Sequence, residues 1–150
     1  MPGIAVAHER VVEERGRDPL TGYRVLRLGL NPERQRLYER INARARHMFD
    51  NGLVEETKSL RERYGKQKTV TALDSLGYRQ AGLLLRGELS REEAIAAAQQ
   101  GHRNYAKRQI TWFRREPDVM WLEGFGDEPK IAREAGALIS AAARHAGESD

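Results

Sequence analysis

Apolar positions in this chain recur mostly at helical spacing, and only two short stretches break that rule. Tyr23–Leu30 (YRVLRLGL) alternates apolar and basic residues and predicts a strand. Asn31 then predicts a helix cap, with Pro32 in the first turn. The helix carries an apolar stripe of Leu37, Ile41, Ala45 and Met48, runs to about Asp50 and breaks at Asn51-Gly52. A second helix is expected over Leu53–Tyr64, followed by Gly65 and a polar loop at Lys66–Thr71. Another helical stretch reaches Arg86-Gly87. Ser90-Arg-Glu-Glu93 is a capping box that opens a long helix to about Arg115, ended with the help of Pro117. Val119–Leu122 (VMWL) predicts a second strand, Glu123–Pro129 a loop, and Lys130 to about His145 an Ala-rich helix.

The fold class is therefore α/β but mostly α-helical, with two short strands far apart in sequence. A strand that returns through a crossover of helices arrives parallel, so the two should pair in parallel. A two-stranded sheet is marginal by itself, and one edge should be bare and apolar, as in a remnant of a larger sheet. Met1–Leu20 is charged and aperiodic, with a turn at Gly16–Pro19, and reads as a linker or a truncated remnant.

Composition narrows the functional classes. The chain has 150 residues, 39% hydrophobic and 32% charged, which suits one domain with a large solvated surface. No apolar run approaches a membrane-spanning length, and His8, Glu9 and Arg10 interrupt the mildly apolar start, so a cytoplasmic location is expected. There is no cysteine, which excludes disulfides, thiolate metal sites and a Cys nucleophile. His8, His47, His102 and His145 match no ligand spacing, so no metal site of protein ligands is expected. There is no phosphate-cradling G-x-x-x-x-G-K-[ST] loop: Gly65-Lys66 lacks the upstream glycine, and Gly124-Phe-Gly126 is not a dinucleotide fingerprint.

The net charge is +4 and the pI is about 9.6, with Arg far in excess of Lys. Arg forks suit phosphates, although a GC-rich genome yields the same excess. Clustering is more telling: no acidic residue lies between Glu93 and Glu116. On a helical wheel, Arg103, Arg114, Lys107, Thr111, Asn104, Arg115 and Arg108 share one arc, a donor face suited to RNA phosphates and sugars. The opposite arc holds Trp112, Tyr105, Gln109, Phe113, Ala106 and Ile110 and is expected to pack in a core. Arg44 sits at the margin of the first helix's stripe. It is either a snorkelling side chain or a guanidinium held by packing and pointed at an anion.

Four blocks carry a resemblance. Lys107-Arg-Gln-Ile-Thr-Trp-Phe-Arg114, Leu76-Gly-Tyr-Arg-Gln80, Gly52-Leu-Val-Glu-Glu56 and Arg40-Ile-x-x-Arg44-x-x-x-Met48 resemble, in order and spacing, the C-terminal half of the bacterial tRNA dimethylallyltransferase family. The likeness covers about Pro19 to Leu122. It implies a P-loop-kinase-like α/β core, of which the two strands would be remaining members. It also implies Mg²⁺-dependent transfer of a dimethylallyl group from dimethylallyl diphosphate to N6 of the adenosine 3′-adjacent to the tRNA anticodon, with the base extruded for chemistry. The resemblance carries over two tRNA-contacting blocks, Asp74, Ser75, Leu76, Gly77, Tyr78 and Arg79, and Lys107, Arg108, Gln109, Ile110, Thr111, Trp112, Phe113 and Arg114. Asp74 stands where relatives carry a basic residue. Arg44 carries over as the catalytic arginine that grips the departing diphosphate.

The family's phosphate-binding loop, Asp general base and Mg²⁺ ligands would lie upstream, so the sequence reads as a partial one. Residues 21–125 would be the C-terminal half of the core and 126–150 an Ala-rich helix and tail. The partners expected are the anticodon stem-loop and, for the whole enzyme, dimethylallyl diphosphate, with neither membrane nor DNA. Transfer by this stretch in isolation is not expected. A stand-alone RNA-binding helical module is the alternative, and an adaptor docking on an acidic protein is a third reading.

Overall fold

A computed structural model describes residues 25–64 and 71–147; side chains are described up to residue 144, and that of Thr71 is left out. The expectations for Met1–Leu20 and for the Lys66–Thr71 loop fall almost wholly outside these residues. The element order is β1 (Arg27–Leu30), α1 (Arg34–Asp50), α2 (Leu53–Tyr64), a 3₁₀ turn (Thr71–Asp74), α3 (Tyr78–Leu85), α4 (Arg91–Phe113), β2 (Val119–Leu122) and α5 (Pro129–Gly147). Residues 27–138 form one compact unit; residues 25, 26 and 139–147 belong to a second, most of which lies outside the described residues.

β1 and β2 pair in parallel, with Arg27 opposite Val119 and Leu30 opposite Leu122. The parallel remnant is as expected, though β1 begins at Arg27; Tyr23 and Arg24 are outside the described residues. Leu30 on β1 and Met120 on β2 remain 47% and 44% exposed, so the pair carries open apolar side chains. Gly29 faces Trp121, whose ring occupies the space a Cβ would need, which explains a glycine inside so short a strand.

The start of α1 differs from the expected cap. Glu33, not Asn31, is the N-cap, its carboxylate accepting from the Gln35 and Arg36 N–H groups at 2.7 and 2.8 Å. Those two bonds hold the Glu33 carboxyl below its ordinary value. Asn31 is already committed. Its N–H extends the ladder to the Leu122 carbonyl at 2.9 Å, and its amide donates to Glu123 at 2.9 Å. The Ser90 capping box forms as expected, with the Ser90 N–H donating to Glu93 at 2.8 Å.

The core lies where α1, α2, α3 and the first half of α4 meet. Phe49, Leu53, Ala81, Ala94, Ile95 and Ala98 are buried together, with Met48, Val54, Tyr78, Leu84 and Leu89 packed around them. Alanines at the helix crossings let the backbones approach closely. Thr57, fully buried on α2, satisfies its hydroxyl on the Leu53 carbonyl at 2.6 Å. Arg91 ties the first turn of α4 to the end of α1, donating to the Phe49 carbonyl and the Asp50 carboxylate, both at 2.8 Å.

Candidate RNA and diphosphate interface

α4 is the spine on which the singled-out residues meet. Its N-terminal half is buried through Ala94, Ile95 and Ala98, while its C-terminal half projects past the packed helices. Three features dock along it in sequence.

The first is the Asp74–Arg79 block. Gly77 takes φ +94°, a conformation L side chains rarely adopt, and a Cβ there would lie 3.2 Å from the Met48 methyl. The Gly77 N–H donates to the Gln80 side chain at 2.9 Å, fixing the turn into α3. Leu76 fills the notch left by Gly101 on α4. The Tyr78 hydroxyl donates to Glu56 at 3.0 Å, and that bond raises its pKa. Asp74, Ser75 and Arg79 stay exposed. Gly77→Ala should therefore cost about 1–3 kcal/mol of stability, the ordinary range for a strained backbone residue, readable as a lower urea midpoint.

The second is Arg44, exposed on α1. Its helix carries five arginines, and four have partners: Arg34 donates to the Tyr38 hydroxyl at 3.0 Å, Arg36 pairs with Glu128 at 3.0 Å, Arg40 with Asp127 at 2.9 Å and Arg46 with Glu92 at 2.8 Å. Arg36 and Arg40 also lie over the buried Phe125 ring, Arg40 at 3.8 Å from its centre. Arg44 has no partner among the described residues. An exposed guanidinium without a partner agrees with both the snorkelling and the anion-directed readings. On α4, the Nε2 of His102, a residue that belongs to no metal-ligand pattern in the sequence, is buried without a hydrogen-bond partner among the described residues.

The third is the basic half of α4. Lys107, Ile110, Thr111 and Arg114 line a cavity of about 340 Å³ together with Asn31, Arg34, Tyr38 and Glu123. It opens beside Asn31 and Glu123, the residues that follow β1 and β2, and so at the carboxyl ends of both parallel strands, where α/β sheets commonly bind ligands. Arg114 reaches Asn31 Oδ1 at 3.4 Å. Asn104, Lys107, Arg108, Thr111, Trp112 and Arg115 border a second, shallower groove. Lys107 and Thr111 border both. None of Lys107, Arg108, Arg114 and Arg115 makes an ion pair among the described residues, unlike four of the basic residues on α1 and early α4 that do. Arg34, Tyr38 and Glu123 were not singled out from sequence, and Asn31 only as a helix cap; the pairing of the strand ends brings them in.

Two expectations fail here. Arg103 does not join the open basic face: it donates to the Asn42 and Gln100 side chains within the α1–α4 contact. The aromatic arc is not core. Trp112, Tyr105 and Phe113 are 59%, 48% and 45% exposed, and Gln109 is exposed too. The physical reason is reach: α1 meets the second half of α4 only on the Lys107, Ile110, Thr111 and Arg114 side, through Arg34 and Tyr38, which leaves the aromatic arc open. Trp112 and Phe113 meet edge to face, with ring centres 4.8 Å apart.

No group of three or more His, Asp or Glu residues could hold a metal ion among the described residues, so a Mg²⁺ ion implied by the resemblance is not assigned to them. No described helix is long and apolar enough to cross a membrane.

Comparison with known proteins agrees with these blocks. Residues 5–116 match the family described as IPP transferase. The tRNA dimethylallyltransferase of Koribacter versatilis is 64% identical over 126 residues, which cover 84% of this chain and 40% of that protein. The protein of the same name from Solibacter usitatus is 49% identical over 135 residues, 88% of this chain and 44% of that protein. The full-length tRNA isopentenylpyrophosphate transferase of Bacillus halodurans superposes with a TM-score of 0.68 at 32% identity, over 93% of this chain and 46% of that one. That of Staphylococcus epidermidis gives 0.70 at 28% identity, over 91% and 43%. The chain thus spans less than half the length of these relatives, and the family match over residues 5–116 takes in β1, α1 to α4 and both sequence blocks, Asp74–Arg79 and Lys107–Arg114. The chain belongs to the IPP transferase family.

Proposed function

We propose that this chain supplies the tRNA-gripping and diphosphate-gripping part of a tRNA dimethylallyltransferase, which moves a dimethylallyl group to N6 of the adenosine 3′-adjacent to the anticodon. The observation that carries this is the unpaired basic half of α4, whose Lys107 borders both cavities. Its cations face phosphates of the anticodon stem-loop, and the Asp74–Arg79 turn, seated on Gly101, contacts the same RNA. Arg44 donates to the diphosphate as negative charge builds on the leaving group. Dimethylallyl diphosphate and Mg²⁺ are held chiefly by the remainder of the family's length, and a tRNA substrate implies a cytoplasmic site of action. Transfer by these 150 residues in isolation is not expected, because the sequence lacks the G-x-x-x-x-G-K-[ST] loop that would cradle a diphosphate.

The test is binding of an anticodon stem-loop RNA to the chain at several salt concentrations. Changing Lys107 and Arg114 to Gln should weaken binding and flatten the salt dependence by roughly one unit of slope per lost phosphate contact. Binding that ignores both substitutions removes the RNA role of this face. RNA binding by the chain, with no gain of transfer when the rest of a relative is supplied, favours the binding-module reading.

A further inference from the structure

The aromatic residues on the second half of α4 make a pattern of their own. Tyr105 and Trp112 lie two helical turns apart, so they share a face with about 10 Å between them along the axis. Both rings are exposed. From the adjoining basic arc, Arg108 holds its guanidinium over the Tyr105 ring, 5.7 Å from its centre. Phe113 braces Trp112 from the side through the edge-to-face contact. Trp112 walls a groove of about 550 Å³, and the other residues around it are Asn104, Lys107, Arg108, Thr111 and Arg115, with no carboxylate among them. We propose that Tyr105 and Trp112 are a stacking platform for unpaired bases, which makes this face select single-stranded over duplex RNA. The inference rests on the RNA role given to α4 above, and extends it to Tyr105, which lies outside both blocks carried over by resemblance.

The chemistry of the face decides between occupants. Neighbouring exposed apolar side chains mark an interaction surface. An apolar protein segment laid over these rings would also take Lys107, Arg108 and Arg115 out of water. No acidic residue lies between Glu93 and Glu116 to meet them, and a buried charge without a partner is strongly unfavourable. An unpaired nucleotide satisfies both sets of groups: its base offers a π face to the rings, and its phosphate accepts from the cations. A duplex offers the phosphates alone, because its bases are already stacked on one another. The rings therefore carry the preference for unpaired RNA, while the cations carry affinity common to both forms.

The test uses the 150-residue chain, a single-stranded RNA oligonucleotide and the duplex it forms with its complement. Trp112→Ala and Tyr105→Ala should each weaken single-strand binding by roughly 5- to 150-fold, the usual range for one lost base stack. The salt slope should not move, since no charge is lost, and duplex affinity should hardly change. Trp112→Phe, which keeps a π face, should retain most of the single-strand affinity. Single-stranded RNA should quench the tryptophan fluorescence of the wild type, the duplex should not, and Trp112→Phe should lose the quenching. Both rings lie outside the buried core, so the urea midpoints of the alanine variants should match the wild type. Single-strand affinity that is equal in wild type and both alanine variants, or a loss as large for the duplex, overturns the platform. The RNA reading survives that result if changing Lys107 and Arg114 to Gln still weakens binding. A wild-type chain that binds neither RNA removes the RNA reading itself. In the protein joined to the remaining length of the Koribacter versatilis relative, a Trp112 ring shielded from acrylamide without RNA would show that protein covers this face, and that too overturns the platform.

Discussion

Phe49→Ala should destabilise the chain by about 3–5 kcal/mol, the usual cost of deleting a fully buried aromatic ring. Phe49 is 2% exposed and sits among Leu53, Ala81, Ala94, Ile95 and Ala98. Those neighbours are mostly alanines, whose short side chains cannot lean into the void, so the cavity will stay open. Domains of this size are stable by about 5–15 kcal/mol, and the loss therefore takes a large fraction of the total. Leu37→Ala, half-exposed on the same helix, should cost much less. Urea unfolding followed by circular dichroism gives both values, and a Phe49→Ala cost below that of Leu37→Ala would show that the core has been placed wrongly.

Phe49 also shows where the sequence is legible. The stripe Leu37, Ile41, Ala45 and Met48 follows from helical spacing, and Phe49 completes it one turn beyond Ala45. The helix breaks at Asn51-Gly52, the Ser90 capping box and the parallel strand pairing were equally open to reading, because each depends on local chemistry or on chain connectivity. The N-cap was not. Asn31 is a good cap by residue type, but its partner Glu123 lies across the sheet, and a long-range contact outcompeted the local one. Burial along the second half of α4 was illegible for a similar reason. Periodicity gives a helix an apolar face, but only tertiary contacts decide whether anything covers it, and Tyr105, Trp112 and Phe113 have no such cover among the described residues. The cavity beside the strand ends joins residues that follow β1 and β2 with residues of α1 and α4, so no single motif could announce it.

Ion pairs mark the basic residues that join one element of the fold to another. Arg36 and Arg40 brace α1 against the loop before α5 through Glu128, Asp127 and Phe125. Arg46 and Arg91 join α1 to α4 through Glu92 and Asp50. These pairs are exposed, and each adds little stability; Arg44, Lys107, Arg108, Arg114 and Arg115 share with Arg27, Lys58, Arg61, Arg63, Arg79 and Arg133 the lack of an ion pair among the described residues. The proposed roles divide between two helices, RNA phosphates for the C-terminal half of α4 and the diphosphate for Arg44 on α1.

Arg44→Ala should therefore slow prenyl transfer by about 10²–10³-fold, the range seen when one donor to a developing negative charge is removed. The protein for this measurement joins the present chain to the remaining length of the Koribacter versatilis relative, whose 64% identity across the shared region keeps the join conservative. Stem-loop affinity and its salt slope should hardly change, because the partner assigned to Arg44 is present on the donor and not on the RNA. Lys107 and Arg114 changed to Gln should do the reverse, weakening RNA binding while leaving the single-turnover rate at saturating RNA nearly intact. A lost donor to the leaving group lowers the rate constant of the chemical step, whereas lost phosphate contacts act on binding and are recovered by concentration. Single-turnover transfer and RNA affinity measured on the same variants separate the two. If Arg44→Ala abolishes RNA binding while the double variant keeps it, the roles of the two groups are exchanged; if Arg44→Ala transfers at the wild-type rate, the unpaired guanidinium on α1 is not the group that meets the diphosphate.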